Sequence, residues 1–500
     1  MKLKRTNPNL LEPSDPLSFP VRVFANDQVP IDRKAIQELE EALQLSGTIE
    51  QLNAKHPEWF DQTPEISEVI LTPDFHKGSG IPIGTVMRTK GFLVPQGPGK
   101  DVNCGMCLYR TDLKADQVRA CLPELVKDTR RIFFEGGRQI PMNAIQRQAM
   151  LTEGLFGLLE TCGQSEKKGL WSLYDPANQE DDLSRVDGNG SALTDAVLYL
   201  DDYLGSSNQT YDSQIGSIGG GNHFSEVQRV VKIHDSRLAY EWGLKLDQVV
   251  VMVHSGSLGL GQMTGNRFKE VLQGVYPSDM KYPDNGLFIL PESEKFKPER
   301  DAFLTSFKNA SNFAYANRMF LALMMFQVLQ RAKCREFRLV YGSGHNLIWK
   351  EPDTWLHRKG ACTARGPEQM AGTPFEYSGE PVIIPGSMGA SSFLLVGKGY
   401  AESISSASHG AGRALSRGAA THSDRIAFED FRKNFTVVTP VDPDRADFKR
   451  RPDILAKWES EMMEECPAAY KDIGPIIQTQ VDAGIASVVA ELEPLFTVKG

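Results

Sequence analysis

The chain has 500 residues, of which 41% are hydrophobic and 24% charged, and its formal net charge is −9 at pH 7. This composition is typical of a globular protein, and the acidic balance argues against a broad basic surface, so any nucleic acid must bind in a local basic groove. The sequence contains neither a signal-peptide pattern nor an apolar run of about 18 residues, and its seven scattered cysteines do not suggest a disulfide framework, so we expect a cytoplasmic protein without a membrane partner.

The predicted elements mix helices and strands without the regular alternation of a Rossmann sheet or a TIM barrel, which favours an α+β fold. In chain order we predict a helix that Asp32 caps and that ends before Gly47, a strand at 68–71, helices at 113–128 and 142–159, a buried strand at 249–253, a long helix at 301–332, strands at 337–341, 381–384 and 393–396, and helices at 425–434 and 472–495.

Residues 163–214 differ from the rest of the chain. They are rich in Asp, Asn, Gln and Ser and separate two apolar segments. We predict a surface insertion with some helix around 192–204. The length of the chain suggests about three domains at roughly 150 residues each, although one large domain also fits.

Histidines are concentrated in a suggestive context. The chain has nine, and four of them lie in glycine-rich or apolar turns after predicted strands: His223, His254, His345 and His409. A buried histidine taken alone is more often a core residue. Four in the same context indicate a shared site, because neutral imidazole is a common ligand for borderline metals.

The segment Asp101-Val102-Asn103-Cys104-Gly105 can complete such a metal site. In a tight turn Asp101 and Cys104 can converge on one ion. A thiolate beside imidazoles suits zinc or manganese by ligand type, and the intrinsic affinity favours zinc. The alternative for Cys104 is a buried, inert thiol. Cys104 and Cys107 form a single CxxC motif without a second one, which argues against a zinc ribbon or a thioredoxin-type site.

Glycine-rich loops and basic clusters suggest phosphate binding. The loops IGSIGGGNHF and IPGSMGASSF can present backbone N–H groups to phosphate oxygens, although neither has the P-loop spacing. The basic residues 357–359, Arg365, Arg413 and Arg417 are candidates for phosphate contacts. The alternative is that they are solvated surface charges.

A series of blocks, in the family's order, resembles the RtcB family of RNA ligases. The blocks are PDFHKGSGIPIG, GPGKDVNCGM, GSIGGGNHFSEVQ, VMVHSGSLGLG, NFAYANR, GHNLIWKE, HRKGA, PVIIPGSMGASSFLLVG, SHGAGRALSR and VKG. They cover residues 70–110 and 215–500 and leave out 163–214. The resemblance implies one large catalytic domain over 1–500, in which mixed sheets surrounded by helices enclose a deep metal pocket.

The resemblance also implies a chemistry. Such enzymes use GTP and two Mn²⁺ ions to join RNA 2′,3′-cyclic phosphate or 3′-phosphate ends to 5′-hydroxyl ends through a histidine–GMP intermediate, in RNA repair or tRNA splicing, and an activating protein is a candidate partner. The implied metal ligands are Asp101, Cys104, His223, His254 and His345, with Cys104 bridging the two ions. The implied nucleophile is His409, and the implied nucleotide contacts are Asn222, Glu226, Gly386, Ser387, His409, Gly410, Gly412 and Lys499.

The sequence departs from the family pattern at three places. Leu258 stands where the family has an arginine, residues 95–101 read PQGPGKD in place of PGGVGFD, and the stretch 361–370 matches loosely. These differences indicate altered handling of RNA ends in a specialised paralogue. Two alternatives are a metal-dependent cyclic phosphodiesterase that does not ligate and a non-catalytic RNA-binding paralogue. The phosphodiesterase would not need His409 or Lys499.

Overall fold

The strands form where apolar, β-branched runs alternate with glycine-rich turns. The computed structural model describes residues 1–164, 167–205, 207–422 and 425–500. In chain order its strands are β1 (Leu3–Asn7), β2 (Leu10–Pro13), β3 (Val21–Phe24), β4 (Glu65–Ser79), β5 (Ile81–Lys90), β6 (Phe92–Leu93), β7 (Gly105–Lys114), β8 (Pro141–Met142), β9 (Thr210–Tyr211), β10 (Phe224–Ile233), β11 (Gln248–Ser255), β12 (Leu290–Pro291), β13 (Phe337–Gly344), β14 (Asn346–Lys350), β15 (Trp355–Lys359), β16 (Ala361–Thr363), β17 (Pro381–Ile384), β18 (Ser392–Gly397), β19 (Ser406–Ser408), β20 (Val437–Val438) and β21 (Ala486–Val498).

The helices lie between and after these strands. They are α1 (Arg33–Leu43), α2 (Leu45–Lys55), α3 (Ala115–Arg119), α4 (Leu122–Phe134), α5 (Ala144–Thr161), α6 (Pro176–Leu183), α7 (Asp201–Leu204), α8 (Ser236–Glu241), α9 (Gly259–Val275), α10 (Lys297–Leu329), α11 (Arg417–Ala420), α12 (Arg425–Asn434), α13 (Ala446–Lys449), α14 (Pro452–Glu464) and α15 (Ile473–Asp482). Within the described ranges, none is both long and apolar enough to cross a bilayer.

Two large sheets organise the chain. A 7-stranded sheet has the order β1-β2-β3-β4-β5-β15-β14, and an 8-stranded sheet has the order β13-β7-β11-β10-β21-β18-β17, with β20 paired to β21. All neighbours along the order of the second sheet are antiparallel. The predicted α+β fold with mixed sheets is therefore confirmed.

The central strand β11 is buried on both faces of its sheet. Val249, Val251 and Val253 belong to the core on one side, where helix α10 packs. Val250 and Met252 belong to a second core on the other side. Successive side chains of a strand point to opposite faces, so a strand between two cores needs a continuous apolar run, which is the pattern at 249–253.

Most predicted elements are confirmed. Asp32 caps α1 by accepting a hydrogen bond from the Lys34 N–H at 2.9 Å, and the long helix and the strands at 68–71, 249–253, 337–341, 381–384 and 393–396 are present. The predicted end of the first helix is wrong, because α2 follows at once. The helix predicted over 472–495 is half wrong: α15 ends at Asp482, and the rest belongs to β21, whose pairing with β10 and β18 overrides the local helical pattern.

The segment 163–214 contributes to the core as well as to the surface. Leu170 and Trp171 are buried, and Trp171 meets Phe320 of α10 edge-on. The helix predicted around 192–204 is present only as α7. Before it, buried amides of α10 replace the helical hydrogen bonds, since Asn312 and Asn309 bond to the backbone of this stretch. Residues 165, 166 and 206 lie outside the described residues, and the status of the segment as an insertion stays a prediction.

Candidate metal centre and nucleotide pocket

Most of the predicted metal ligands lie at one edge of the 8-stranded sheet, where its strands begin or end. Strand β7 begins at Gly105, opposite Ser255 of β11 and Gly344 of β13, and β10 begins at Phe224, opposite His254. Antiparallel neighbours alternate in direction, so the starts of β7 and β10 lie at the same edge as the ends of β11 and β13. The residues at or next to this edge are Cys104, His223, His254 and His345.

The ligand atoms of these residues form a continuous chain. Cys104 Sγ lies 3.1 Å from His223 Nε2 and 3.2 Å from His254 Nε2. Asp101 Oδ2 is 2.9 Å from His223 Nε2 on one side, and His345 Nε2 is 3.4 Å from His254 Nε2 on the other. The structure thus brings together all five predicted ligands, with the sulfur between an Asp–His pair and a His–His pair.

Backbone carbonyls set the tautomers of two of the imidazoles. His223 Nδ1 lies 3.0 Å from Ile218 O, and His254 Nδ1 lies 3.1 Å from Asn222 O. A carbonyl only accepts, so each Nδ1 carries a proton and each Nε2 is the nitrogen that faces the centre. In the neutral ring, His223 Nε2 and Asp101 Oδ2 face each other as two acceptors, an arrangement that a shared cation stabilises.

The charges of the centre also fit a cation. Burial, with the neighbouring histidines, lowers the pKa of His254 and His345 well below the usual value, so both imidazoles stay neutral. Burial and the Asp101 carboxylate raise the pKa of the Cys104 thiol well above its usual value. A thiolate at this position therefore needs nearby positive charge, which a metal ion supplies. Cys104, His223 and His254 are close enough to hold one ion together.

Arg318 supports the metal centre by bonding to the backbone beside two of its ligands, and sequence reasoning did not identify it. Its guanidinium is fully buried in α10 and donates to Asn103 O and, at 3.0 Å, to Ser255 O. Asn103 precedes Cys104 and has a φ of 51°, in the left-handed region, whereas Ser255 follows His254. One side chain thus connects two ligand-bearing segments. An arginine inside the apolar helix motif NFAYANR was the available signal.

His409 lies beside this centre, with its ring centroid 4.7 Å from that of His345. It follows β19, and its Nδ1 lies 2.6 Å from Asp74 Oδ2. Burial would raise the pKa of Asp74, but the His409 imidazole and the Thr72 hydroxyl, which donates at 2.6 Å, bring it down to about 2. The carboxylate favours a proton on Nδ1, so Nε2 is the nitrogen that carries the lone pair in the neutral ring of His409.

Most of the predicted nucleotide-contacting residues line a cavity next to His409 and His254. Its lining includes Asn222, Gly386, Ser387, His409, Gly410, Gly412 and Lys499. Lys499 is buried and donates to Gly221 O, and burial lowers the pKa of its ammonium group. The lining also includes Arg413, a predicted phosphate contact, and residues that sequence reasoning did not name: His76, Phe224, Glu465 and Tyr470. Of these, His76 lay in a quoted block, whereas nothing around Tyr470 marked it.

Comparison with known proteins identifies the family. A family model described as "tRNA-splicing ligase RtcB" matches residues 60–500. The chain belongs to the RtcB family. It is 32% identical to the tRNA-splicing ligase RtcB of Thermococcus kodakarensis, over 97% of this chain and 95% of that protein. It is 30% identical to the RtcB proteins of Nanoarchaeum equitans, over 97% of this chain and 96% of that protein, and of Pyrobaculum aerophilum, over 86% and 87%.

One residue that the RtcB resemblance implies lies apart from the cavity. Glu226 is absent from the lining formed by the described residues and is buried between β10 and β21. It accepts hydrogen bonds from the Thr497 hydroxyl and, at 2.6 Å, from Gln228 Nε2. Burial raises its pKa to about 7. A nucleotide contact through Glu226 stays a prediction.

A second, larger cleft opens beside the first cavity, which we name the nucleotide cavity because most of the predicted nucleotide contacts line it. The two share His76, Asn222, His409, Arg413 and Arg417, and both reach the metal centre. Basic side chains line the cleft: Arg33, Lys34, Lys77, Lys100, Lys269, Lys359, Arg413 and Arg417. Two of them also make internal contacts, since Lys359 donates to Ser79 O and Ile81 O and Arg413 pairs with Glu465. The cleft is thus a local basic groove of the kind that is predicted for an acidic chain that binds nucleic acid, and RNA binding there stays a prediction.

The predicted phosphate contacts at 357–365 are wrong for the two arginines of that stretch. Arg358 is buried and donates to Ile404 O at 3.1 Å. Arg365 pairs with Asp187 at 2.6 Å and with the buried Glu380 at 3.0 Å. Both charges serve internal contacts, so neither is free for a phosphate.

Leu258, at the position where the resemblance implies an arginine, helps to orient the Asp101 carboxylate. Its N–H donates to Asp101 Oδ1 at 2.8 Å, immediately before α9 begins. It has a φ of 52° although it is not a glycine. The hydrogen bond that orients Asp101 therefore comes from the backbone of Leu258 and not from its side chain.

Proposed function

We propose that this chain is a GTP- and Mn²⁺-dependent RNA ligase that joins 2′,3′-cyclic phosphate or 3′-phosphate ends to 5′-hydroxyl ends, in tRNA splicing or RNA repair. One observation carries the proposal: the Asp74–His409 pair lies where the nucleotide cavity, the basic cleft and the metal centre meet. The names of the relatives, all tRNA-splicing ligases, support the reaction class.

In the first step, Nε2 of His409 attacks the α-phosphorus of GTP. The new Nε2–P bond forms as the P–O bond to pyrophosphate breaks, and pyrophosphate takes the electron pair. Asp74 holds the proton on Nδ1 and stabilises the positive charge that develops on the ring. Lys499 and the backbone N–H groups of the loop at Gly386 are suited to bind phosphate oxygens.

We assign manganese because the resemblance to the RtcB ligases implies it. The Asp101 carboxylate suits that ion, and the thiolate and the imidazoles also suit zinc. Asp101, Cys104, His223, His254 and His345 would hold the two ions that the resemblance implies, and the Cys104 sulfur contacts a histidine on each side. When bound, the ions supply positive charge that neutralises phosphate oxygens and favours displacement.

The remaining steps transfer the guanylyl group to RNA. A cyclic end is first opened by water to a 3′-phosphate. A 3′-phosphate oxygen then attacks the phosphorus on His409, the N–P bond breaks, and a phosphoanhydride joins RNA to GMP. Finally the 5′-hydroxyl attacks the RNA phosphorus, the phosphodiester forms, and GMP leaves. The basic cleft would bind the two RNA strands through their phosphates.

Labelled GTP tests this proposal. With [α-³²P]GTP and Mn²⁺, we expect an acid-labile, alkali-stable adduct on the wild-type chain. His409→Ala should abolish it, whereas the control His234→Ala, at an exposed position, should retain it. If the wild type opened a cyclic phosphate but formed neither adduct nor ligated RNA, the chain would be a phosphodiesterase and the proposal would be wrong.

A further inference from the structure

His76 lies at the junction of the two cavities, and the steps above do not use it. It lines both the nucleotide cavity and the basic cleft. Its ring lies nearly parallel to that of His409, at 19° and a centroid distance of 6.5 Å. Its side chain belongs to β4, two residues after Asp74, so the strand that positions the nucleophile also fixes His76.

The hydrogen bonds of His76 determine which ring nitrogen is free. Its Nδ1 lies 2.9 Å from the backbone oxygen of Asp74. Since a carbonyl only accepts, Nδ1 carries the proton and Nε2 carries a lone pair. In the described part of the chain, no protein group bonds to Nε2. The side chain thus offers an unused acceptor in a residue that is only 6% exposed.

The surroundings keep this acceptor unprotonated. Burial lowers the pKa of His76 to about 4, and the nearby His409 and Lys471 act in the same direction. The Asp74 carbonyl and carboxylate act in the opposite direction but do not outweigh burial. At neutral pH, His76 is therefore a neutral imidazole that can accept a hydrogen from a substrate group.

We propose that Nε2 of His76 accepts the hydrogen of the RNA 5′-hydroxyl as that hydroxyl attacks the activated 3′-phosphate. The inference rests on the proposed function. In this step the 5′-oxygen–phosphorus bond forms, the phosphoanhydride bond breaks, and GMP leaves with the electron pair. The hydroxyl proton moves to Nε2 of His76 and is then released to water.

The position of His76 favours the 5′-hydroxyl over water as its partner. The RNA phosphate is activated at His409, and the attacking hydroxyl must approach that phosphorus from the cleft that holds the RNA. His76 lies beside His409 and lines this cleft. A weak base is sufficient, because the hydroxyl becomes acidic late in a loose phosphoryl transfer, as when a kinase aspartate accepts the proton of its substrate hydroxyl.

Sealing of pre-activated RNA tests the proposal separately from guanylylation. The probe is an RNA with a 3′-diphosphate-linked guanosine, mixed with a 5′-hydroxyl RNA and Mn²⁺. We expect His76→Phe, which keeps a ring but has no acceptor, to slow sealing about 100- to 1000-fold. Guanylylation of His409 should slow less than tenfold. His76→Gln, whose amide oxygen accepts a hydrogen bond but is a poor base, should recover part of the sealing rate.

His357 provides a matched control. It is also a buried, neutral imidazole, whose pKa burial lowers to about 4. Both of its nitrogens serve the backbone, since Val94 N–H donates to Nε2 at 2.9 Å and Nδ1 lies 3.3 Å from Met87 O. We expect His357→Phe to lower the melting temperature while the ratio of sealing to guanylylation stays at the wild-type value.

Three results would overturn the role of His76. They are sealing at the wild-type rate in His76→Phe, equal losses of guanylylation and sealing together with a lower melting temperature, and slowing confined to the opening of a cyclic phosphate. If His76→Phe did not fold, His76→Gln would decide: sealing at the wild-type rate would overturn the proposal, and a selective loss would support it. If the wild type did not seal activated RNA, the proposed function would fall first, and this role with it.

Discussion

A single carboxylate decides how His409 presents its nitrogens. Asp74 lies 2.6 Å from Nδ1 and accepts the His409 backbone N–H at 3.2 Å. Asp74→Asn keeps the shape but places an amide next to Nδ1, which favours the wrong tautomer. We expect guanylylation in single-turnover assays to slow on the order of 10²- to 10⁴-fold, while Mn²⁺ affinity stays unchanged.

Thr72 provides the control for Asp74, because its hydroxyl donates to the Asp74 carboxylate. Thr72→Val removes one hydrogen bond to Asp74 and leaves the carboxylate in place. It should slow guanylylation only about tenfold, in line with one lost hydrogen bond to a charged group. Equal rates for Asp74→Asn and the wild type would contradict this role of Asp74.

Arg318 is expected to govern metal affinity through its two backbone contacts. Arg318→Met leaves Asn103 O and Ser255 O without their donor. We expect the free energy of unfolding to fall by about 3 kcal/mol and the Kd for Mn²⁺ to rise at least tenfold, measured by urea denaturation and titration calorimetry. Arg331, an exposed partner of Asp128, gives the control: Arg331→Met should cost less than about 1 kcal/mol.

Glu226 makes stability depend on pH. Its pKa, raised to about 7 in the folded state, exceeds the ordinary value of 4.5, so the folded state favours the protonated form. Stability from this group is fully present below about pH 4.5 and is lost as pH rises through 7. The free energy of unfolding of Glu226→Gln, measured relative to that of the wild type by urea denaturation, should therefore increase by up to about 3 kcal/mol from pH 5 to pH 8. An unchanged difference would contradict a buried, protonated carboxyl.

At the scale of elements, local patterns predicted which residues matter but not how they meet. Each predicted histidine follows a glycine-rich or apolar stretch, and that is visible in the sequence. Their convergence depends on the order β13-β7-β11-β10-β21, which pairs strands far apart in the chain. Strand order and register arise from long-range packing, so local periodicity could not supply them.

The same limit explains the wrong elements. The stretch that follows α15 is predicted as a helix because its apolar spacing also fits a helix. Its pairing with β10 and β18 makes it part of β21 instead. Around 192–200, side chains of Asn309 and Asn312 satisfy the backbone in place of helical hydrogen bonds. Asp74 escaped notice because its partner His409 lies 335 residues away.

The segment 163–214 is attached to α5 by a buried ion pair. Arg147 donates to Asp212 at 2.8 Å, and Asp212 also accepts from two backbone N–H groups, of Gln214 and Ile215. Asp212→Ala leaves a buried guanidinium without its counter-ion, at a cost of about 3–5 kcal/mol. We expect faster hydrogen exchange at 210–215, whereas Asp202→Ala, at an exposed position, should leave exchange there unchanged. Slow exchange in both variants would contradict this anchoring.

At the scale of the whole molecule, an acidic protein must bind a polyanion through one basic cleft. Lys100, next to Asp101, is exposed and lines that cleft. If it contacts one phosphate, Lys100→Ala should reduce the slope of log Kobs against log salt by about 0.7 for single-stranded RNA. Lys232→Ala, outside the cleft lining, should leave the slope unchanged, which fluorescence anisotropy at several salt concentrations can measure.

The opposite change tests whether this chain has exchanged one phosphate contact for another. Leu258 lies beside Gly219, whose neighbour Gly220 lines the cleft. Leu258→Arg should steepen the salt slope by about the amount that Lys100→Ala removes, because each changes the number of phosphate contacts by one. In the double variant the slope should return to the wild-type value, because one phosphate contact is removed and one is added. A slope that Leu258→Arg does not change would mean that RNA passes this position without contact, and the departure from the family pattern would then have no role in binding.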